Sequence, residues 1–225
     1  MSRAAARIFL TPSRLPLPLP LPLLPKRRRR RPPPSSGATR ASFAMAAAPG
    51  RGGGEAFRLS ADAGAGALKL QKGDITLWSV DGATDAIVNA ANERMLGGGG
   101  VDGAIHRTAG PELVEACHKV PEVKSGVRCP TGEARITPAF KLPVSRVIHT
   151  VGPIYDMDKQ PEVSLNNAYT NSLKLAKQNG IQYIALPAIS CGVYRYPPKE
   201  ASKIAVSTAQ RFSNDIKEVS SGPVF

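Results

Sequence analysis

Cysteine is scarce in this 225-residue chain, and the three that occur stand far apart. Cys117, Cys129 and Cys191 are odd in number, and no Cys-x-x-Cys pair or regular Cys/His spacing accompanies them. A disulfide framework needs paired cysteines, and a structural zinc site needs ligands at close, regular intervals. The sequence therefore predicts neither, and it favours a reducing compartment. We expect no metal ion and no cofactor.

Acidic residues are absent from the first 54 positions, which contain eleven of the 30 lysine and arginine residues. The other 171 positions hold 19 basic and 17 acidic residues, so most of the formal charge of +13 belongs to the N-terminal segment. A nearly neutral remainder argues against nucleic acid as a partner, because nucleic-acid-binding surfaces carry clustered Lys and Arg. We predict a basic, proline-rich, disordered leader at 1–54, a linker at 55–67 and a domain at 68–225.

The leader also lacks an uninterrupted apolar run, since proline and leucine alternate through Leu15–Pro25. Proline removes a backbone donor and clashes with the preceding turn, so we expect no membrane-spanning helix there and no membrane partner. An Arg-rich, acid-free, Ser-containing leader is typical of transit peptides and predicts a mitochondrial or chloroplast location. The alternative is the nucleus or cytoplasm, because Lys26–Arg31 fits an import signal and a start at Met45 would omit the leader.

Beyond residue 67, short apolar segments alternate with amphipathic ones, which predicts a layered α/β domain. Five segments have the length and Val/Ile content of strands: Leu68–Gln71, Ala86–Ala90, Ala134–Thr137, Arg146–Val151 and Tyr183–Pro187. Four segments are predicted helices: Val101–Ala109, Pro111–Lys119, Glu162–Gln178 and Lys199–Phe212.

Four consecutive glycines, Gly97–Gly100, lie between a predicted strand and a predicted helix. Each forfeits side-chain burial and costs backbone entropy, so the run predicts a loop whose N–H groups contact phosphate. A flexible linker is the alternative for an isolated glycine run. Gly98–Gly103 matches the dinucleotide pattern G-x-G-x-x-G only weakly, because Asn89–Leu96 separates the strand from the glycines. A Walker A loop is excluded, since no Lys-Ser/Thr follows the glycines.

A second glycine-containing loop, Ser190–Pro197, follows another predicted strand. In doubly wound sheets, the loops beyond the carboxyl ends of the strands line one crevice, so we expect both glycine loops to face the same site. Ser190 and the amides of Gly192–Tyr194 would hold phosphate oxygens there. Tyr194 would cover a sugar or a base, and ordinary packing is the alternative for this aromatic side chain.

Asp102 follows the glycine run at the predicted start of a helix. An aspartate in this position commonly caps the helix or complements its dipole. Beside a phosphate loop, the same carboxylate can instead take part in chemistry. His106 lies one helical turn further on and would pair with Asp102 or simply pack. The residues alone leave both alternatives open.

Five ordered motifs between Leu70 and Pro197 together resemble a macrodomain of the MacroD type, which is an ADP-ribose-binding module with three α/β/α layers around a mixed sheet. The motifs are Gly73–Thr76 (GDIT), Ile87–Asn92 (IVNAAN), Gly97–His106 (GGGGVDGAIH), His149–Pro153 (HTVGP) and Ser190–Tyr194 (SCGVY). Their order and number make the resemblance far more specific than any single motif.

The resemblance implies a role for each site residue. Asp74 is expected to accept from the adenine amino group, with Ile75 beside it. Asn92 is expected to hold the distal ribose, supported by Asn89, and Asp102 is the acid that distinguishes hydrolytic members from simple binding modules. Asn92 and Asp102 are thus the expected catalytic residues. The diphosphate is expected to be held by Gly100, Val101, Ser190, Cys191, Gly192, Val193 and Tyr194.

The reaction that the resemblance implies is removal of mono-ADP-ribose from Asp and Glu side chains of proteins, with deacetylation of O-acetyl-ADP-ribose as a further activity. A carboxylate leaving group needs little acid assistance, so one aspartate and a positioned water can suffice. Glycosidases, in contrast, usually carry two carboxylates. The expected partners are ADP-ribose and mono-ADP-ribosylated proteins, and we expect a monomer. A non-catalytic ADP-ribose-binding module is the alternative.

The sequence departs from the family pattern at two places. Cys191 stands where a threonine is expected, which a main-chain contact would tolerate. Lys217–Val219 fits the family, but Ser220–Phe225 replaces a hydrophobic strand and a closing helix, and Gly222-Pro223 continues an interior strand poorly. We therefore predict that the last strand, between the first and fifth predicted strands, and the last helix are missing, and that stability and activity are reduced.

Overall fold

The structure, a computed structural model, describes residues 55–62 and 64–222. The predicted disordered leader at 1–54 and the location inferred from it lie outside these residues and stay predictions. Within the described ranges, none of the helices combines the length and hydropathy needed to cross a membrane.

Strands and helices alternate along the described chain. The strands are β1 Glu55–Arg58, β2 Ala67–Leu70, β3 Asp85–Ala90, β4 Ala134–Pro138, β5 Arg146–Thr150, β6 Tyr183–Leu186 and β7 Glu218–Ser221. The helices are α1 Gly100–Ala109, α2 Pro111–His118, α3 Pro161–Gln178 and α4 Pro198–Arg211. Every strand and helix predicted from the sequence is present, and each end lies within one residue of its predicted position. Three helices begin at a proline, whose fixed φ suits the first helical position.

All seven strands form one mixed sheet in the order β1-β2-β7-β6-β3-β5-β4. The neighbours from β2 to β5 pair in parallel, and β1 and β4 are antiparallel to their neighbours. After β3 the chain continues toward β5 on one side, whereas after β6 it continues to β7 on the other. The strand order therefore reverses between β3 and β6, and such a reversal leaves a crevice beyond the carboxyl ends of the strands.

The helices cover both faces of the sheet. Ile87 of β3 belongs to a buried cluster with Ile105 of α1 and Leu113 of α2. The next residue, Val88, points to the opposite face and joins a cluster with Leu165 of α3 and residues of α4. Successive side chains of a strand alternate between faces, which is why one apolar strand serves two cores. The predicted three-layer α/β/α fold with a mixed sheet is confirmed.

The predicted linker at 55–67 is wrong in part, because β1 lies within it. Glu55–Arg58 pairs antiparallel with β2 along all four residues, and all four are exposed. An edge strand held by backbone hydrogen bonds needs no buried face, so the sequence carries no apolar alternation there. Leu59, directly after β1, is buried in the core.

The prediction that the last strand is missing is also wrong. Glu218–Ser221 forms β7 and pairs in parallel with β2 on one side and β6 on the other, in the predicted position. The ladder uses backbone groups, which serine supplies as well as any residue, and Val219 supplies a fully buried side chain. Gly222 then packs so closely on the Gln71 carbonyl that a Cβ would overlap it. The predicted absence of a closing helix concerns the chain beyond residue 222, which lies outside the described residues, and it stays a prediction.

The contribution of β7 to stability can be measured with two identical substitutions. Val219→Ala removes two fully buried methyl groups and should lower the free energy of unfolding by about 2 kcal/mol. Val163→Ala, on an exposed position of α3, should change it by less than about 0.5 kcal/mol. Urea denaturation followed by circular dichroism gives both values. Equal midpoints for the two variants would mean that β7 does not belong to the folded sheet.

Candidate functional site

A cleft of about 430 Å³ opens beyond the carboxyl ends of three parallel strands, where the strand order reverses. Ala90–Asn92 at the end of β3, Gly152 after β5 and the turn after β6 form three sides. Gly98–Asp102, at the start of α1, forms the fourth side. The two glycine loops predicted to face one site therefore do so.

The glycine run brings bare backbone against the polar side chains of the cleft. A Cβ on Gly98 would lie 3.1 Å from Asp102 Oδ2 and 3.3 Å from Asn92 Nδ2. Gly97 and Gly100 have φ values of +85° and +58°, which glycine adopts without strain. The first N–H groups of a helix have no partner within that helix, and the helix dipole favours an anion there. Because the run forms a wall of the cleft, the linker alternative is wrong.

The turn after β6 has the geometry of a second anion-binding loop. Ser190 has a φ of +64°, an uncommon conformation for a residue with a side chain. Its hydroxyl is buried and has no hydrogen-bond partner among the described residues. Gly152 makes this arrangement possible, since a Cβ there would overlap Ser190 Oγ. The turn also places Gly192, Val193 and Tyr194 on the cleft, and burial raises the pKa of the Tyr194 hydroxyl, which stays protonated.

Cys191 is the one residue of the predicted diphosphate set that does not line the cleft. Its Sγ donates to the carbonyl of Ile189 at 3.5 Å, and its side chain packs against the core below α3 and α4. Burial raises the pKa of this thiol. The side chain at position 191 therefore belongs to the packing of the turn.

Asp102 lines the cleft from the first turn of α1 and is 3% exposed. Its Oδ1 accepts from Asn89 Nδ2 at 2.7 Å, and His106 Nε2 lies 3.3 Å from the same oxygen, within ion-pair distance but not aligned for a hydrogen bond. In the described part of the chain Oδ2 has no hydrogen-bond partner, and it is the oxygen beside Gly98. Because these contacts are with side chains, Asp102 is not a backbone cap. It presents one held oxygen and one free oxygen.

Asn92 lies across the glycine run from Asp102. Its Nδ2 donates to the carbonyl of Gly97 at 3.0 Å, and its Oδ1 accepts from the amide of Arg94 at 3.1 Å. These bonds fix the side chain on the cleft wall, where it is one of the lining residues. The two predicted catalytic residues thus share one cleft.

Asn89 lies behind the cleft rather than on it. The β3–β5 register pairs Asn89 with His149, and both side chains are fully buried on the face covered by α1 and α2. Asn89 Nδ2 lies 3.1 Å from His149 Nδ1, and His149 Nε2 lies 2.9 Å from Thr137 Oγ1. Burial, with the nearby charge of His106 as a smaller cause, lowers the pKa of His149 to about 3. The imidazole is therefore neutral at ordinary pH.

Three side chains beneath the cleft have donor atoms that suit zinc. One ligand atom each from His106, Cys117 and His149 lie within 4.8 Å of one another. Burial raises the pKa of the Cys117 thiol to about 12, and His149 Nε2 is already bonded to Thr137. An ion held there would require loss of the thiol proton and of that hydrogen bond.

Asp74 and Ile75 line a separate, smaller cavity of about 40 Å³, also beyond the carboxyl ends of the strands. Its other walls include Trp78, the end of β6, the last two residues of β7 and Gly222, which follows β7. Asp74 Oδ1 accepts from the amide and the hydroxyl of Thr76, at 2.9 and 2.8 Å, and so caps the short 3₁₀ turn Ile75–Leu77. Both bonds use the same oxygen, which leaves Oδ2 as the acceptor for a ligand.

Sequence reasoning missed Gly152 as a lining residue, and its role for Asn89 is wrong: Asn89 does not line the cleft, and it donates to Asp102 rather than supporting Asn92. Asn89 and His149 each fall on the same buried strand face as an apolar residue two positions earlier, Ile87 and Val147 respectively. A polar residue on a buried strand face predicts a hydrogen-bonded partner. The partner itself follows from strand register, which the sequence does not state.

The neutral state of His149 predicts how stability depends on pH. An unfolded chain protonates this residue near its ordinary pKa of 6.5, whereas the folded chain does not until about pH 3, so stability falls as the pH drops below 6.5. Between pH 7 and pH 5 the wild-type chain should lose about 2 kcal/mol more free energy of unfolding than His149→Gln. His118→Gln, at an exposed position of α2, should show the same change in the free energy of unfolding with pH as the wild type. Urea titrations across this range test it, and identical slopes in all three proteins would contradict a buried neutral imidazole.

Comparisons with known proteins fit this geometry. A sequence model of the Macro domain family matches residues 88–205. A Macro domain-containing protein of Vibrio parahaemolyticus is 59% identical over 145 residues, which are 64% of this chain and 82% of that protein. An O-acetyl-ADP-ribose deacetylase of Escherichia fergusonii is 55% identical over 142 residues, which are 63% of this chain and 77% of the relative.

Solved structures agree in fold. The Oceanobacillus iheyensis macrodomain with ADP has 40% identity and a TM-score of 0.68, covering 76% of this chain and 90% of that one. The Trypanosoma brucei macrodomain in complex with ADP-ribose has 37% identity and a TM-score of 0.59, covering 70% of this chain and 64% of that one.

Proposed function

The chain belongs to the Macro domain family, and from that premise we propose that it hydrolyses esters of ADP-ribose, releasing single ADP-ribose units from Asp and Glu side chains of proteins and deacetylating O-acetyl-ADP-ribose. One observation carries the proposal. Asp102 lines a cleft built to hold an anion, and its buried Oδ2 has no hydrogen-bond partner among residues 55–62 and 64–222. A module that only binds its ligand has no need of such an oxygen.

The two cavities suit the two ends of ADP-ribose. The larger cleft combines the N-terminus of α1 with the turn Ser190–Tyr194, and these two groups of backbone amides can hold a diphosphate from both sides. The smaller cavity offers Asp74 Oδ2 to the adenine amino group, with Ile75 as its apolar neighbour. The distal ribose would then lie between Asn92 and Asp102.

The proposed chemistry needs one base and a well-held substrate. Both substrates carry an ester on the distal ribose. For a protein ester, water adds to the anomeric carbon, the bond to the side-chain carboxylate breaks, and that carboxylate leaves with the electron pair. Asp102 Oδ2 takes the proton of the attacking water, while Asn92 holds a ribose hydroxyl. For the O-acetyl ester, water adds instead to the acyl carbon, and acetate is released.

The diphosphate loops contribute by orientation. Amide groups fixed in the backbone hold the substrate without reorganisation during the reaction, which is the condition under which positioning lowers a barrier most. The close backbone approach at Gly98 and Gly152 leaves little space beside Asp102 and Ser190. Because the leaving group is already a weak base, no second carboxylate is required at the bond.

The role of Asp102 is tested by Asp102→Asn, which keeps an oxygen for Asn89 but removes the base. Affinity for ADP-ribose, measured by calorimetry, should stay within about three-fold, while release of label from Glu-linked mono-ADP-ribosylated protein should fall about a hundred-fold or more. Glu115→Gln, on the exposed face of α2, should match the wild type in both assays. The same three proteins should rank identically with O-acetyl-ADP-ribose.

Two results would contradict the proposal in different ways. Binding without release by the wild-type chain would identify an ADP-ribose-binding module. Release that Asp102→Asn leaves unchanged would keep the activity and remove Asp102 from its role.

Recognition of the adenine ring is tested by Asp74→Asn. This variant keeps an oxygen for Thr76 and turns the acceptor that faces the ligand into a donor. Affinity for ADP-ribose should fall about ten-fold, because a donor then meets the adenine amino group. The hypoxanthine analogue of ADP-ribose has an acceptor in place of that amino group. The affinity of Asp74→Asn for this analogue should fall by less than its affinity for ADP-ribose, or should rise. Calorimetry with both ligands measures the change in preference, and an unchanged ratio of the two affinities would show that Asp74 does not contact the base.

A further inference from the structure

A line of buried hydrogen bonds runs from Thr137 in β4 through His149 in β5 and Asn89 in β3 to Asp102 in α1. Thr137, Asn89 and His149 do not line either cavity, and the proposed mechanism uses none of their atoms directly. The inference below rests on the proposed function, since it concerns how Asp102 is held for that reaction.

The charge on Asp102 dictates the direction of every bond in the line. An ionised carboxylate accepts and cannot donate, so Asn89 must turn its amide nitrogen toward Oδ1. The same nitrogen then points its second hydrogen at His149 Nδ1, which must accept it without a proton of its own. A neutral imidazole carries its proton on one nitrogen, so Nε2 holds it and donates to Thr137 Oγ1.

The surroundings of His149 favour this tautomer. Besides Asn89 and Thr137, the ring is near Cys117 Sγ, 3.9 Å from Nε2, and the His106 ring, whose centroid lies 6.2 Å away. The charge of Asp102 acts to raise the pKa of His149, and full burial outweighs that attraction. A proton on Nδ1 would face the Asn89 amide donor and force that amide to rotate.

We propose that His149 is a positioning residue for the hydrolysis. As the neutral Nε2–H tautomer, His149 fixes the orientation of the Asn89 amide. The amide then holds Asp102 by Oδ1, and Asp102 turns Oδ2 to the cleft. This role of His149 depends on hydrogen-bond polarity and not on the volume of the side chain. Removing the acceptor at Nδ1 frees the Asn89 amide to rotate, and the carboxylate then loses its one strong donor. Ligand affinity is set by other residues and should hardly change.

A matched pair of variants separates positioning from packing. In His149→Asn the amide oxygen lies where Nδ1 was and can still accept from Asn89, whereas in His149→Gln the longer amide reaches Thr137 instead. Relative to wild type, His149→Gln should lose about ten- to a hundred-fold in kcat at nearly constant KM, and His149→Asn should stay within about five-fold. Both variants bury one amide in the same place, so a purely structural role would not favour the shorter one.

The tautomer can be measured directly in the wild-type chain. Long-range ¹H–¹⁵N correlation spectra of the histidine-labelled protein should give the pattern of a neutral ring protonated at Nε2, assigned by the loss of that signal in either variant. Equal kcat values for His149→Asn and His149→Gln would overturn the proposal, as would a ring protonated at Nδ1 or at both nitrogens. If the wild type binds ADP-ribose without hydrolysing it, the proposed function fails, and the tautomer still decides whether His149 orients Asn89. If neither variant folds, the His149 signal is assigned by elimination with His106→Gln and His118→Gln, and the wild-type spectrum then decides alone.

Discussion

Close approach of bare backbone to buried polar groups is the constraint on which this molecule depends. At Gly98 the chain passes against Asp102 and Asn92, and at Gly152 it passes against Ser190, where a side chain would overlap the hydroxyl. These contacts bring the N-terminus of α1 and the turn after β6 to face one another across the cleft. The crevice between β3 and β6 gives the space, and the glycines set its width.

The electrostatics of the site follow from that closeness. Asp102 is almost fully buried, yet its strong hydrogen bond comes from a neutral amide, with an imidazole at a longer distance. The line of neutral groups behind it, ending at Thr137, orients the carboxylate without neutralising it.

Much of this architecture could be predicted from the sequence, and the exceptions have physical causes. Apolar strands with Val and Ile, and helices with a periodic apolar face, gave boundaries accurate to one residue. β1 escaped prediction because an exposed edge strand carries no apolar pattern. β7 was misjudged because Ser220–Phe225 replaces the expected apolar run and Gly222-Pro223 continues an interior strand poorly. For β7 the two parallel neighbours decided the outcome, a tertiary effect that no local pattern expresses.

The site residues likewise divide into those that motifs identify and those that only the folded chain brings to the site. Motifs located the cleft residues, but strand register joined Asn89 to His149, and the end of β7 proved to be a wall of the cavity that holds Asp74. A nucleobase seated there would contact Ser220 and Ser221, the same residues that complete the interior of the sheet. Occupancy and the docking of this last strand are then linked thermodynamically: whatever fills the cavity opposes fraying of β7, and loss of β7 opens the cavity to solvent.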